Sequence, residues 1–174
     1  TGRSIAEATP WTNVTRAQAA QLCARSDKRL PTAAEWYQFS IGTPVDTAAC
    51  NVRSGSVALG GSFADCQSEH AVYDTVGNVW EWVSDDVVDQ TYNGRPLPEE
   101  GYVSQTDMAG VATETGAEPS LQHGADYIWT EAEGFYAMMR GGFYGSREDG
   151  GVYTVHAATD PDFVGPAIGF RCVQ

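Results

Sequence analysis

The stretch Arg140-Gly-Gly-Phe-Tyr-Gly-Ser-Arg-Glu-Asp-Gly-Gly-Val-Tyr-Thr-Val-His-Ala-Ala-Thr-Asp-Pro-Asp-Phe-Val-Gly-Pro-Ala-Ile-Gly-Phe-Arg171 decides how this chain is read. Two compact frames bracket it, Arg140-Gly141-Gly142 and Gly169-Phe170-Arg171. Paired glycines allow backbone angles closed to other residues, or the close approach of a neighbouring strand. Between the frames lies an irregular mixture of aromatic, small and polar side chains. Residues 151–157 and 168–173 read as short strands, and residues 135–140 lead into the first frame as another. The stretch holds no cysteine; the next one, Cys172, closes the second frame.

The rest of the chain bounds the problem. It has 174 residues, 42% apolar and 19% charged, which suits one domain with a hydrophobic core. Nineteen glycines and eight prolines favour a loop-rich fold over a helical bundle. Ten basic side chains against 23 acidic ones leave a net charge of −13. Such a surface repels phosphate backbones and anionic bilayers, so nucleic acid and membrane are not expected as partners. No apolar run is long enough for a membrane-spanning helix. No signal-peptide pattern is legible, and a chain that starts at Thr1 leaves room for upstream sequence. The four cysteines, Cys23, Cys50, Cys66 and Cys172, show no C-x-x-C spacing, which argues against zinc. Their even number admits two disulfides; free buried thiols are the alternative.

Two helices are expected, both near the start. Thr15-Arg-Ala-Gln18 is a capping box that opens a helix at about 16–25, and Thr32-Ala-Ala-Glu35 opens a second at 33–40. Trp36, with Phe39 or Tyr37, should face inward. After Gly42, glycines recur at short intervals and leave no room for long helices. Residues 79–83, Val-Trp-Glu-Trp-Val, read as a buried strand. Residues 85–134 are acidic, rich in Gly, Thr and Pro, and show no clear period. They read as a long loop insertion. Residues 1–174 therefore read as a single α+β domain of two short helices, short twisted antiparallel strands and long loops.

Several blocks carry a family resemblance. Trp11 to Thr15, Ala20-Gln-Leu-Cys23, Lys28-Arg-Leu-Pro-Thr-Ala-Ala-Glu-Trp36, Asp74-Thr-Val-Gly-Asn-Val-Trp-Glu-Trp82, Arg140-Gly-Gly142 and Ile168-Gly-Phe-Arg-Cys172 follow one another as in the formylglycine-generating-enzyme (sulfatase-modifying factor) family. The resemblance implies a C-type-lectin-like fold. It implies a disulfide between Cys23 and Cys172, beside which Cys50 and Cys66 could form a shorter one. It also implies a structural calcium site from the carboxylates of Asp74 and Glu81 and the carbonyls of Gly77 and Val79, hard oxygen ligands of the kind Ca²⁺ prefers. The family's enzymes carry two cysteines just after the Arg-Gly-Gly turn, which bind copper, and a related branch holds iron with three histidines. Here residues 143–149 contain no cysteine, and His70, His123 and His156 are scattered. Thiolate chemistry has no substitute among the other side chains.

The stretch 140–171 instead resembles the variable region of diversity-generating-retroelement proteins. There, adenine-directed mutagenesis of Asn codons diversifies positions between a fixed Arg-Gly-Gly and a fixed Gly-Phe-Arg. The matching positions are Phe143, Tyr144, Gly145, Ser146, Asp149, His156, Ala158, Thr159, Phe163, Gly165 and Ala167, and all carry residues that such mutagenesis permits. This reading makes the chain a non-catalytic ligand-binding protein whose variable face meets a protein or cell-surface ligand, displayed on a cell or virion surface. Aromatics among Ser, Gly and Asp are the usual mix of adaptable binding surfaces. The alternatives are a copper-dependent oxidase of the formylglycine-generating type and a structural surface module.

Overall fold

The computed structural model describes residues 7–44 and 48–174. Both helices begin where capping chemistry places them. In α1 (Arg16–Ala24) the Thr15 hydroxyl accepts the Gln18 N–H, and the Gln18 side chain accepts the Thr15 N–H. In α2 (Ala33–Ser40) Thr32 and Glu35 do the same. Each box satisfies two donors that a helix start would otherwise strand.

Among the described residues nine strands follow: β1 (Trp80–Val88), β2 (Thr91–Tyr92), β3 (Arg95–Pro96), β4 (Gly101–Thr106), β5 (Ala112–Gly116), β6 (Tyr127–Trp129), β7 (Phe135–Arg140), β8 (Val155–Thr159) and β9 (Ile168–Phe170). They form one sheet in the order β3-β2-β1-β7-β8-β6-β4-β5, and β9 joins β1 in parallel. Most pairs are antiparallel, but β6 and β8 also run parallel. The α+β class and the two short helices are as expected.

The stretch 85–134 differs from its reading as a loop. It holds the end of β1 and all of β2 to β6. These strands are two to six residues long, and register shifts interrupt the β4–β5 pairing. Strands so short, with bulges between them, never run long enough to print a period of two. The strand expected at 151–157 lies four residues later, because residues 151–154 make a turn closed by Thr154 N–H to the Gly151 carbonyl.

The sheet is covered on both faces. One face packs on α2 through Trp36, Val83, Val87, Val103, Ile128, Met138 and Val155. The other packs on α1 through Ala19, Cys23, Trp80, Trp82, Met139 and Ile168. Trp82 is fully buried and donates its indole N–H to the Val14 carbonyl. Cys23 and Cys172 are bonded and tie α1 to the chain end, and Cys50 and Cys66 are bonded within a third cluster with Val52 and Val76.

The first bridge spans 149 residues and the second 16. The longer loop loses more chain entropy when closed. Replacing Cys23 and Cys172 together by serine should lower the unfolding free energy by roughly 3–5 kcal/mol, and replacing Cys50 and Cys66 should cost less. Guanidinium midpoints of the two double variants measure the difference.

Candidate functional site

The three segments expected to vary meet around one short stretch, residues 78–80. Tyr144 N–H donates to the Asn78 carbonyl. Trp80 N–H donates to the Ala167 carbonyl. The His156 ring meets the Trp80 ring edge-on at 5.7 Å. Phe143 packs against the cluster that contains Trp80 and Ile168. The turn after β7, the strand β8 and the loop before β9 thus converge.

The eleven positions are not equally free. Gly145 and Phe163 are exposed, and Phe163 is 55% accessible. Phe143, Tyr144, Asp149, His156, Ala158 and Ala167 are half-buried. Ser146, Thr159 and Gly165 are buried. The Ser146 side chain supports the backbone, because its hydroxyl accepts the Phe143 N–H at 2.9 Å and closes the turn. Thr159 bonds the His156 ring at 2.8 Å. Of the framing residues, Arg140, Gly141, Gly142 and Gly169 are buried. Phe170 and Arg171 are only half-buried, because they lie at the sheet margin next to the chain end.

The framework holds these segments largely by their backbones. Arg140 is wholly buried and donates to the Val152 carbonyl at 2.8 Å. The Asp126 carboxylate accepts the Tyr153 N–H at 2.7 Å. Burial raises the Asp126 pKa to about 7 against that hydrogen bond and the nearby Arg140 charge. Gly55 N–H donates to the Tyr144 carbonyl, Arg147 N–H to Val52, Asn13 N–H to Gly165 and Arg16 N–H to Pro161. Gly141 has φ +87°, and a Cβ there would lie 2.4 Å from the Thr75 carbonyl oxygen.

One component was not foreseen. A row of rings crosses the sheet from β4 to β1: Tyr102 meets Tyr127 at 5.2 Å, Tyr127 meets Trp129 at 4.8 Å, and Trp129 stacks on His156 at 5.5 Å. Trp129 also meets Trp80 edge-on at 5.7 Å. Tyr102, Tyr127, Trp129 and His156 are all half-buried. The signal was present as Tyr127-Ile-Trp129, with Ile128 pointing into the opposite core. It fell in the stretch read as a loop.

The expected calcium ligands are otherwise engaged. Both Glu81 carboxylate oxygens receive donors, from Trp36 Nε1 at 2.7 Å and from Arg171 Nε and Nη2. Arg171 Nη2 also reaches the Asp74 carbonyl, while the Asp74 carboxylate accepts the Gly61 N–H at 2.7 Å. A guanidinium already supplies the positive charge, so Asp74, Gly77, Val79 and Glu81 do not fit a calcium cage. Among the described residues no group of three or more His, Cys, Asp or Glu could hold a metal. The four cysteines are all consumed in the two bridges, so no thiol pair stands beside Arg140.

A shallow groove of about 750 Å³ lies between the N-terminal lead-in and α1, lined by Trp11, Val14, Gln21 and Leu22 among others. None of the eleven positions lines it.

The fold is C-type-lectin-like, here with an aromatic row on one sheet face and backbone-held segments beside it. Residues 47–174 match the sulfatase-modifying factor enzyme 1-like domain, and the chain belongs to that family. No protein of curated function matches it by sequence. Among solved structures it is similar to the Major Tropism Determinant P3c variant, at TM-score 0.59 and 17% identity over 93% of this chain and 38% of that one. It is also similar to PvdO from Pseudomonas aeruginosa, at TM-score 0.57 and 21% identity over 93% of this chain and 60% of that one. The variable protein 1 of Treponema denticola matches at TM-score 0.57 and 16% identity, over 93% and 69% of the two chains. The chain thus spans less than two-fifths of the Major Tropism Determinant structure.

Two outcomes are expected. Chelation with EDTA, or added calcium, should leave the melting temperature unchanged; a calcium-dependent rise in a thermal scan would restore the metal site. Burial pushes the His156 pKa down to about 4 from its usual 6.5. The folded pKa lies below the unfolded one, so the neutral ring's contribution is complete above about pH 6.5 and fades as pH falls towards 4. His156→Phe should therefore lose less stability than the parent over that interval, by roughly 2–3 kcal/mol in urea titrations.

Proposed function

We propose that this chain is a non-catalytic binding domain that displays a variable face, as the variable proteins of diversity-generating retroelements do. The observation that carries the reading is how the display segments are held. Their backbones are gripped by main-chain partners and by Arg140 and Asp126, which lie outside the variable positions. A hydrogen bond to a carbonyl or an N–H persists whichever side chain stands at that position. Core substitutions commonly cost 2–5 kcal/mol, whereas surface ones stay within about 0.5 kcal/mol. A site built to accept many side chains must keep its fold elsewhere, and this one does so at most of its positions.

The family includes enzymes, which is the rival reading. It needs a thiol pair after the Arg-Gly-Gly turn, and the four cysteines here are committed to bridges. The same two bridges fit an oxidising compartment and so support display on a cell or virion surface. The partner is then a protein or another surface structure, met by Tyr144, Phe163 and the half-buried His156.

Phe163→Ala and Tyr144→Ala should each move the melting temperature by no more than a degree or two. Together they should abolish capture of the protein's own target. Ser146→Ala should destabilise the fold, since it strips the Phe143 N–H of its acceptor. A nearly identical DNA repeat with Asn codons at the eleven positions, beside a reverse transcriptase gene, would establish the diversification itself. Full target capture by the Phe163 and Tyr144 double variant would remove the reading.

A further inference from the structure

From His156 the aromatic row runs to residues that lie outside the stretch 140–171: Trp129 and Tyr127 on β6, then Tyr102 on β4. We propose that this part of the row is a subsite for a cationic side chain, Arg or Lys, of a protein partner, set beside the positions that vary. The proposal rests on the display reading above and assigns it a chemical class of ligand.

Three observations converge. First, the charge around the rings is negative. Glu100 is exposed and stands two residues before Tyr102, in the bend that leads into β4. After burial, the charges of Glu100 and Asp149 and the neighbouring Tyr102 all raise the Tyr127 pKa, which places both carboxylates within electrostatic reach of its phenol. Second, the local sequence supplies almost no positive charge. Residues 85–134 contain eleven acidic side chains and one basic one, Arg95, which is paired with Asp107 at 2.6 Å.

Third, this protein sets arginines over ring faces elsewhere but not over these. Arg16 lies over Phe135, Arg95 over Tyr92, Arg140 over Trp36 and Arg171 over Phe39. Among the described residues, no cation of the chain lies over Tyr102, Tyr127 or Trp129. Aromatic faces attract cations, and a neighbouring carboxylate adds a charge-assisted hydrogen bond. A neutral apolar ligand would bury Glu100 without a partner, at a desolvation cost. An anionic one would meet the surplus of carboxylates. A guanidinium or ammonium satisfies both the rings and the charge.

The division of labour follows from position. Glu100, Tyr102, Tyr127 and Trp129 lie outside the stretch 140–171, so their grip is constant. Asp149 lies within it, so its share of the charge changes with diversification. A constant cation grip supplies a basal attraction, and the variable side chains decide which basic partner is kept.

The test uses the whole chain at low ionic strength and two blocked peptides, Gly-Arg-Gly and its neutral counterpart Gly-citrulline-Gly. Nitrogen–proton correlation spectra follow the Trp129 indole and the Tyr102 and Tyr127 amides. The arginine peptide should shift these signals with a saturable dependence, and citrulline should not. Glu100→Gln should weaken the effect by about threefold, the scale of an exposed ion pair, as should added salt. Glu69→Gln, the same charge change beside Gly42, should leave it intact. Equal shifts with both peptides, equal weakening by the two Gln variants, or no shift at all would overturn the subsite. If that happens while the Phe163 and Tyr144 double variant still loses the target, only the cation subsite falls and the display reading stands.

Discussion

The Glu81 carboxylate is the constraint on which the rest depends. It sits buried on β1, holds the Trp36 indole N–H on one oxygen and shares both oxygens with Arg171. Three distant parts of the chain are thereby locked together: α2, the central strand and the C-terminal frame. Arg171 carries the lock further, to the carbonyls of Tyr73 and Asp74. Removing one partner of such a buried pair would leave the other charge without compensation, which is far costlier than the net worth of the pair. Trp36 in turn lies beneath the Arg140 guanidinium, 4.9 Å from its ring centre, and against the site where Gly141 would carry a Cβ. The two frames of the variable stretch are thus built on one indole.

Fixing the frames in the core releases the stretch between them. Arg140, within the core, holds the Val152 carbonyl, and Asp126 holds the next N–H, that of Tyr153. Main-chain contacts with residues 13, 16, 52, 55 and 78 hold the rest. Such a scheme separates two demands that usually compete, a stable fold and a changeable surface. It is incomplete at Ser146, Thr159 and Gly165, where side chains or tight backbone packing take part in the structure. The same core bears on the calcium reading: the Glu81 carboxylate is already neutralised by the Arg171 guanidinium, which lies on both of its oxygens.

Legibility in the sequence tracked the range of the interactions. The capping boxes at Thr15 and Thr32 are local, three residues long, and both helices start where they say. The frames Arg140-Gly-Gly142 and Gly169-Phe-Arg171 were recognisable by their family resemblance, and in the first of them a buried arginine and two positive-φ glycines give the physical reason. Strands β2 to β6 were not, since short bulged strands leave no period and their order in the sheet is set by partners far along the chain. The row Tyr102, Tyr127, Trp129 and His156 went unseen for the same reason: its members stand up to 54 positions apart.

By itself, then, the sequence determined the fold class, the two helices, the residues of the core frames and the stretch that carries the candidate face. It did so because caps, glycine turns and buried aromatic blocks act through neighbours a few residues away. Only the tertiary structure decided which of the eleven positions are exposed, that Glu81 pairs with Arg171, and that an aromatic row lies beside the candidate face. Those are properties of side chains brought together across the sheet, and the burial and partners of a side chain exist only once the distant strands have paired.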